Sequence, residues 1–240
     1  MLDFWLLKYR IKKLLVPNRI SSEEYCKYLK SFGIRIGEGT HFFYPCSNTI
    51  DIQRPWLLKI GKYCKITEDV TILTHDYSRS VLRMKYGEVL GEASPTSIGN
   101  NVFIGLKSII LMGANIGDNV IVGAGSVVSG TIPSNSVVAG IPAKVVCTLD
   151  EYYEKRKKRT LEEAIIYTKN FIEYHKRDPK ISEMGPFFPL FLERTKEALV
   201  TNNVRTRLSG DNEEDLIENF LQSKPAFSSY DEFLQYAKQQ

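Results

Sequence analysis

From Ile98 the chain reads "IGNNVFIGLKSIILMGANIGDNVIVGAGSVVSGTIP", and its apolar residues return every six positions. Ile98, Ile104, Ile110, Ile116, Val122 and Val128 hold the first place of successive units. Glycine follows in four of those six, at Gly99, Gly105, Gly117 and Gly123. The fifth place is small or β-branched: Val102, Ser108, Ala114, Val120, Ser126 and Ile132. An earlier block, "IGKYCKITEDVTIL", carries the pattern from Ile60, and "IGEGTHFFYPCS" starts it more loosely at Ile36. A period of six matches neither the helix nor the alternating strand. It matches a coil of three short strands joined by tight corners, with one unit on each side. The first-place aliphatics then stack along a narrow prism, and the fifth-place residues stay small because the prism tapers. Glycine is expected where a corner needs unusual backbone.

The rhythm fails twice. In "NTIDIQRPWLLK" Asn48 and Arg54 fall in first places, which a local slip onto Ile50, Ile52 and Leu58 explains. The alternative is that Asn48 points into a site. After Ile72 the next clean unit begins at Ile98, leaving the excursion "THDYSRSVLRMKYGEVLGEASPTS" with His75 at its start. Loops inserted into repeats gather on one functional face. Imidazole exchanges a proton near neutral pH, which suits it to general-base work on a hydroxyl. Asp76 is its neighbour, but adjacent side chains on a strand point to opposite faces. Any acid that orients the ring is therefore expected from elsewhere in the chain. The other two histidines serve less well: His41 sits in an early coil, and His175 in "NFIEYHKRD" at a helix end.

The repeats, followed by "VVAGIPAKVV" at 137–146, resemble the left-handed β-helix, hexapeptide-repeat acyltransferases. Within that superfamily the chain looks most like the sugar and xenobiotic O-acetyltransferase branch, over about residues 34–147. The resemblance implies a coil whose hand opposes the usual right-handed crossover. It also implies a homotrimer with sites between subunits, acetyl-CoA as acyl donor, no metal, and His75 as the catalytic residue in the coil before the long loop. The donor's pantetheine arm would run past Phe103, Leu106, Gly123 and Ala124 with Ser129 nearby, and Lys144 would meet its phosphates. Two departures stand out. Related enzymes often carry threonine-lysine where this chain has Ser129-Gly130, and tryptophan where it has Phe103. The implied acceptor is a sugar hydroxyl of a bacterial surface polysaccharide or its precursor. Asn48, Tyr77 and Arg83 are the acceptor-binding candidates, although exposed loop polarity accounts for Tyr77 and Arg83 equally well.

The fold class is thus mainly β: a left-handed parallel β-helix at 34–147 with a loop excursion at 76–97. N-terminal helices (1–33) precede it and a helical extension (148–240) follows. Ser21 to Glu24 forms a capping box for the helix "SSEEYCKYLKSF". "MLDFWLLKYRIKKLLVP" reads as a basic amphipathic helix, not a signal peptide, because Lys8, Arg10, Lys12 and Lys13 interrupt its apolar run. It would either contact the anionic inner face of a membrane through residues 1–16 or pack against the main domain, and the second reading is favoured. "KRKKR" at 155–159 reads as a solvated helix face between acids. A net charge of +4 is too mild for a nucleic-acid partner but helps steer a small polyanion. The four cysteines have no metal-type spacing and read as reduced thiols of a cytoplasmic protein. Three other functions compete. One is acetylation of an antibiotic or of an amino-sugar nitrogen; the amino-sugar type often has an N-terminal nucleotide-binding unit, whose glycine motif is missing before residue 34. A zinc hydratase on this fold needs three histidine ligands, and the middle coils hold one. A non-catalytic β-helix scaffold has no use for His75 or "AGIPAK".

Overall fold

The computed structural model describes residues 16–204, 206, 211 and 213–240. The N-terminal segment read as an amphipathic helix lies outside these residues except for Val16, and so does its membrane contact. The chain divides into two compact units, Met1–Glu151 and Tyr152–Gln240. Among the described residues, no helix is long and apolar enough to cross a membrane.

The first unit is built on three parallel ladders, one per side of a prism. Ile36, Ile60, Ile98, Ile116 and Ile132 pair in that order along the first face. Phe42, Ile66, Ile104, Val122 and Val138 do so along the second, and Ile50, Ile72, Ile110 and Val128 along the third. Every one of these residues is 8% exposed or less. Burying apolar surface is the main favourable term in folding, so the six-residue rhythm specifies the coil by filling its interior. Val102, Ser108, Ala114, Val120 and Ser126 are buried beside them, as small fifth-place residues should be. The architecture is a left-handed parallel β-helix.

The register locates the irregularities. Ile98 pairs with Ile116 and Ile104 with Val122, each reaching three sides of the prism further along the chain. Ile60 pairs with Ile98, Ile66 with Ile104 and Ile72 with Ile110, and each of these pairings spans the whole excursion. The excursion is therefore looped out of one corner, and all three ladders close over it. The last coil is short: Ile132 pairs with Ile116, sooner than the period would bring it round. Ile132 thus takes a first place, not the fifth place that an unbroken period assigns it.

Glycine supplies left-handed corner backbone at Gly39, Gly113, Gly125 and Gly130, as expected, but the glycines that follow the first-place aliphatics act differently. Gly37, Gly61, Gly99 and Gly117 stack at one corner, and none of them has a left-handed backbone. A Cβ on Gly61 would lie 2.2 Å from the Gly99 carbonyl oxygen, so the residue is needed for close approach between coils. The left-handed position of that corner, two residues further on, is held by Gly39, Tyr63, Asn101 and Asn119, and Asn135 continues the row. The three asparagines form a ladder, Asn101 Nδ2 donating to Asn119 Oδ1 at 2.9 Å and Asn119 Nδ2 to Asn135 Oδ1 at 3.0 Å.

A helix, α1 (Ser22–Ser31), opens this unit, with the Ser21 hydroxyl accepting from the Glu24 amide at 3.2 Å. The excursion, read as a loop, contains a second helix, α2 (Arg79–Tyr86), closed by Gly87 in the left-handed region. Beyond the last ladder, α3 (Leu149–His175) leads into the second unit. There Met184, Phe188, Phe191, Leu192, Phe220 and Phe233 form a separate core with Ala164 of α3. The "KRKKR" run is exposed on α3, and Arg156 makes a two-point contact with Glu163 at 2.7 and 2.6 Å.

Candidate active site

The corner after the third face brings His75 against a buried carboxylate. Thr49–Ile50 and Thr71–Ile72 are adjacent strands there, with Ile50 opposite Ile72. The Asp51 amide continues the ladder by donating to the Ile72 carbonyl at 3.0 Å. That stacking brings the Asp51 carboxylate under the turn at Thr74 and His75. His75 Nδ1–H donates to Asp51 Oδ2 at 2.5 Å, leaving Nε2 turned away from the acid. The His75 side chain is 20% exposed and that of Asp51 only 4%. The histidine reaches solvent and the acid does not.

Asp51 is itself held from several directions. Its Oδ2 accepts from the Thr74 amide at 3.1 Å and the Thr74 hydroxyl at 2.5 Å, while Oδ1 accepts from the Gln53 amide at 3.0 Å. Burial alone would raise its pKa, but the hydrogen bonds from Thr74, the Gln53 amide and His75 outweigh that and keep the carboxyl below the usual aspartate range. A buried, ionised acid on Nδ1 fixes the tautomer and orientation of the ring. Asp76 does not share this role: it accepts from the Ser78 amide at 2.8 Å and belongs to the loop. The remaining histidines pack on aromatics, His41 against Phe43 at 4.7 Å and His175 against Phe171 at 4.2 Å.

Among the acceptor candidates, the structure corrects Asn48. Its side chain is buried in the coil, Oδ1 accepting from the Val70 amide at 2.9 Å and Nδ2 donating to the Phe43 carbonyl at 3.3 Å. Both polar atoms are satisfied by backbone, so it holds the irregular early coil and faces no ligand. Tyr77 and Arg83 do come together. With Arg79, Ser80, Val89 and Leu90 they line a cavity of about 250 Å³ within the excursion. The excursion returns to its root where the Ser94 amide donates to the Thr74 carbonyl at 3.1 Å.

The cofactor candidates fall in three places. Leu106, Gly123 and Ala124 meet at the corner between the second and third faces, where the Gly125 amide donates to the Leu106 carbonyl at 2.7 Å. A Cβ on Gly105 would lie 2.5 Å from the Ala124 nitrogen, so Gly105 is needed for close approach of the next coil and is buried beneath it, while Leu106 and Ala124 stay exposed at this edge. Phe103 is exposed on the second face, just ahead of that corner. Ser129 follows the third-face strand Val127–Val128, in the same corner row as Leu73, close in sequence to His75. Lys144 is exposed on the closing hairpin and has no acidic partner among the described residues.

The sequence alone pointed to neither Asp51 nor Thr74. Asp51 lies well before His75, in a stretch whose period is broken.

Comparison with known proteins agrees with the repeat. Residues 95–129 match the family described as hexapeptide repeat of succinyl-transferase. The chain is 38% identical over 127 residues to Protein CapG of Staphylococcus aureus, covering 53% of this chain and 73% of that protein. It is 34% identical over 129 residues to galactoside O-acetyltransferase of Escherichia coli (strain K12), covering 52% of this chain and 62% of that one. A shorter match, 49% over 55 residues, is to "Putative lipopolysaccharide biosynthesis O-acetyl transferase WbbJ" of the same organism, covering 23% of this chain and 28% of that protein.

Proposed function

We propose that this chain, which belongs to the hexapeptide-repeat acetyltransferase family, transfers an acetyl group from acetyl-CoA to a sugar hydroxyl of a bacterial surface polysaccharide or its precursor. The similarity to a galactoside O-acetyltransferase and to a lipopolysaccharide O-acetyl transferase supports the acceptor class. The observation that carries the reading is the contact between His75 Nδ1 and the buried Asp51 carboxylate at the root of the excursion.

When bound, acetyl-CoA supplies the activated thioester carbonyl. His75 Nε2 takes the proton of the acceptor hydroxyl as that oxygen bonds to the carbonyl carbon. The carbon–sulfur bond then breaks, and the imidazolium passes the same proton to the departing thiolate. An acetyl ester and a free thiol leave, and the histidine is restored. Asp51 keeps Nδ1 protonated throughout and offsets the charge on the ring. Thr74 and the Gln53 amide keep Asp51 ionised. Leu106, Gly123 and Ala124 offer the edge for the pantetheine arm, Phe103 and Ser129 flank it, and Lys144 is the cation for a phosphate.

His75→Ala and His75→Asn test this reading directly. General-base catalysis contributes roughly 10²- to 10⁴-fold, so both should lower kcat by about that factor while acetyl-CoA binding survives. Turnover above about a tenth of wild type in either variant would mean that the base lies elsewhere.

A further inference from the structure

We infer that the acceptor is an acidic glycan, and that Arg79 and Arg83 hold the carboxylate of a sugar acid while His75 takes the proton of a nearby hydroxyl. This deepens the proposed function and rests on His75 as the base.

Position comes first. Tyr77 is two residues from His75, which puts its Cα within about 7.6 Å of the histidine's. The cavity it lines with Arg79 and Arg83 belongs to the same excursion, whose far end is pinned to Thr74 by the Ser94 amide. Tyr77 is thus the lining residue that ties the cavity to the base, and in this inference a sugar ring held there presents a hydroxyl to His75.

The charges are the second observation. Arg156 and Arg177 each make a two-point contact with a glutamate, at 2.6–2.7 and 2.7–2.8 Å. Arg79 and Arg83 have no acidic partner among the described residues. Two of the excursion's three acids are engaged by Ser78: Asp76 accepts from its amide and Glu92 from its hydroxyl. Arg79 and Arg83 are also four apart on α2, where like charges repel. Arg79 opens that helix with no acid in its first turn, against the helix dipole. An arrangement unfavourable in itself is relieved by an anion between the two guanidinium groups.

The lining supplies the third. Arg79 stacks on the Tyr77 ring, its Cζ 5.3 Å from the centroid, which fixes the plane of its donor fork. Planar forks match carboxylates at two points. Val89, Leu90 and the Tyr77 ring give the same cavity apolar surface, suited to the C–H face of a pyranose. A small cavity with paired forks and an apolar wall fits a sugar acid better than a neutral sugar.

The test measures acetyl transfer from acetyl-CoA to a panel of uronic-acid oligosaccharides and to the same oligosaccharides after chemical reduction of their carboxyls. The acidic member of a pair should be preferred in kcat/KM by about ten- to a hundredfold, the range of a charge-assisted hydrogen bond. That preference should shrink with added salt and collapse in Arg79→Ala/Arg83→Ala. Arg83→Lys should keep only part of it, because an ammonium cannot form the fork. Equal use of each pair, or a preference that survives in the double variant, overturns the inference and leaves the proposed function standing. His75→Ala separates the two: transfer to both members that persists in this variant removes the proposed function itself.

Discussion

Asp51 decides whether His75 is a base or an ordinary surface imidazole. Its side chain is nearly sealed from solvent and tied to Thr74, Gln53 and the ring. Asp51→Asn keeps the shape but offers an amide where a carboxylate accepted Nδ1–H. We expect kcat to fall about 10²-fold or more, with little change in acetyl-CoA binding. His75→Ala/Asp51→Asn should be no worse than His75→Ala alone, because residues that act as a unit do not add. Steady-state kinetics on the four proteins checks both statements. The acid also predicts a pH effect. A depressed carboxyl contributes stability that is fully present above the unfolded value of about 3.9 and is lost as pH falls through the lower folded value. Melting curves from about pH 5 downward should show wild type losing its advantage over Asp51→Asn; parallel curves would remove this linkage. His75 is singled out by the sequence because an interruption of a repeat marks a face, and the structure sets it against a buried acid. Asp51 is not singled out, because Ile50 pairs with Ile72, further along the chain than a regular coil such as Ile98 to Ile116 would reach. The pairing that stacks the two corners has to be seen.

At the scale of the element, the six-residue unit was readable because each face repeats one simple packing rule. The corner glycines Gly113 and Gly125 have the left-handed backbone expected of them, but those that follow the first-place aliphatics serve another purpose. Gly61 is there because the backbone of Gly99 passes within 2.2 Å of where a Cβ would stand. Gly61→Ala should therefore destabilise the fold by about 1–3 kcal/mol, the usual range for overpacking. Gly91 has nothing within 4 Å of its Cβ position and no left-handed φ, so Gly91→Ala should be nearly silent. Urea denaturation of the two variants makes the comparison, and equal midpoints would contradict the close-approach account. Ile132 makes the same point from the other side. A strict count places it fifth, but the shortened last coil carries it to a first place beside Ile116. Helix α2 escaped notice because its apolar residues, Val81, Leu82 and Met84, stay exposed and bury no face in this unit.

For the whole molecule, the chain's own surface argues that one copy is incomplete. Phe103 and Leu106 are about 40% exposed on the prism, and Met84 is 83% exposed on the excursion. We expect a homotrimer of about 82 kDa, three chains of 27.4 kDa, in which a neighbouring copy covers some of these residues. Light scattering checks it, and a stable monomer would count against a shared site. The second unit was visible in the sequence as helical composition, but its core was not. Phe188 and Phe191 share one segment, Phe220 and Phe233 come from two others, and no common period links them. The excursion has one further consequence. Because all three ladders pair across it as if nothing had been inserted, the solenoid is indifferent to how many residues leave that corner. Loop-closure entropy grows only with the logarithm of length, so doubling the segment costs about 0.6 kcal/mol. Inheritance can therefore swap this cassette for one of another size and chemistry while the ladders that hold His75 against Asp51 stay as they are.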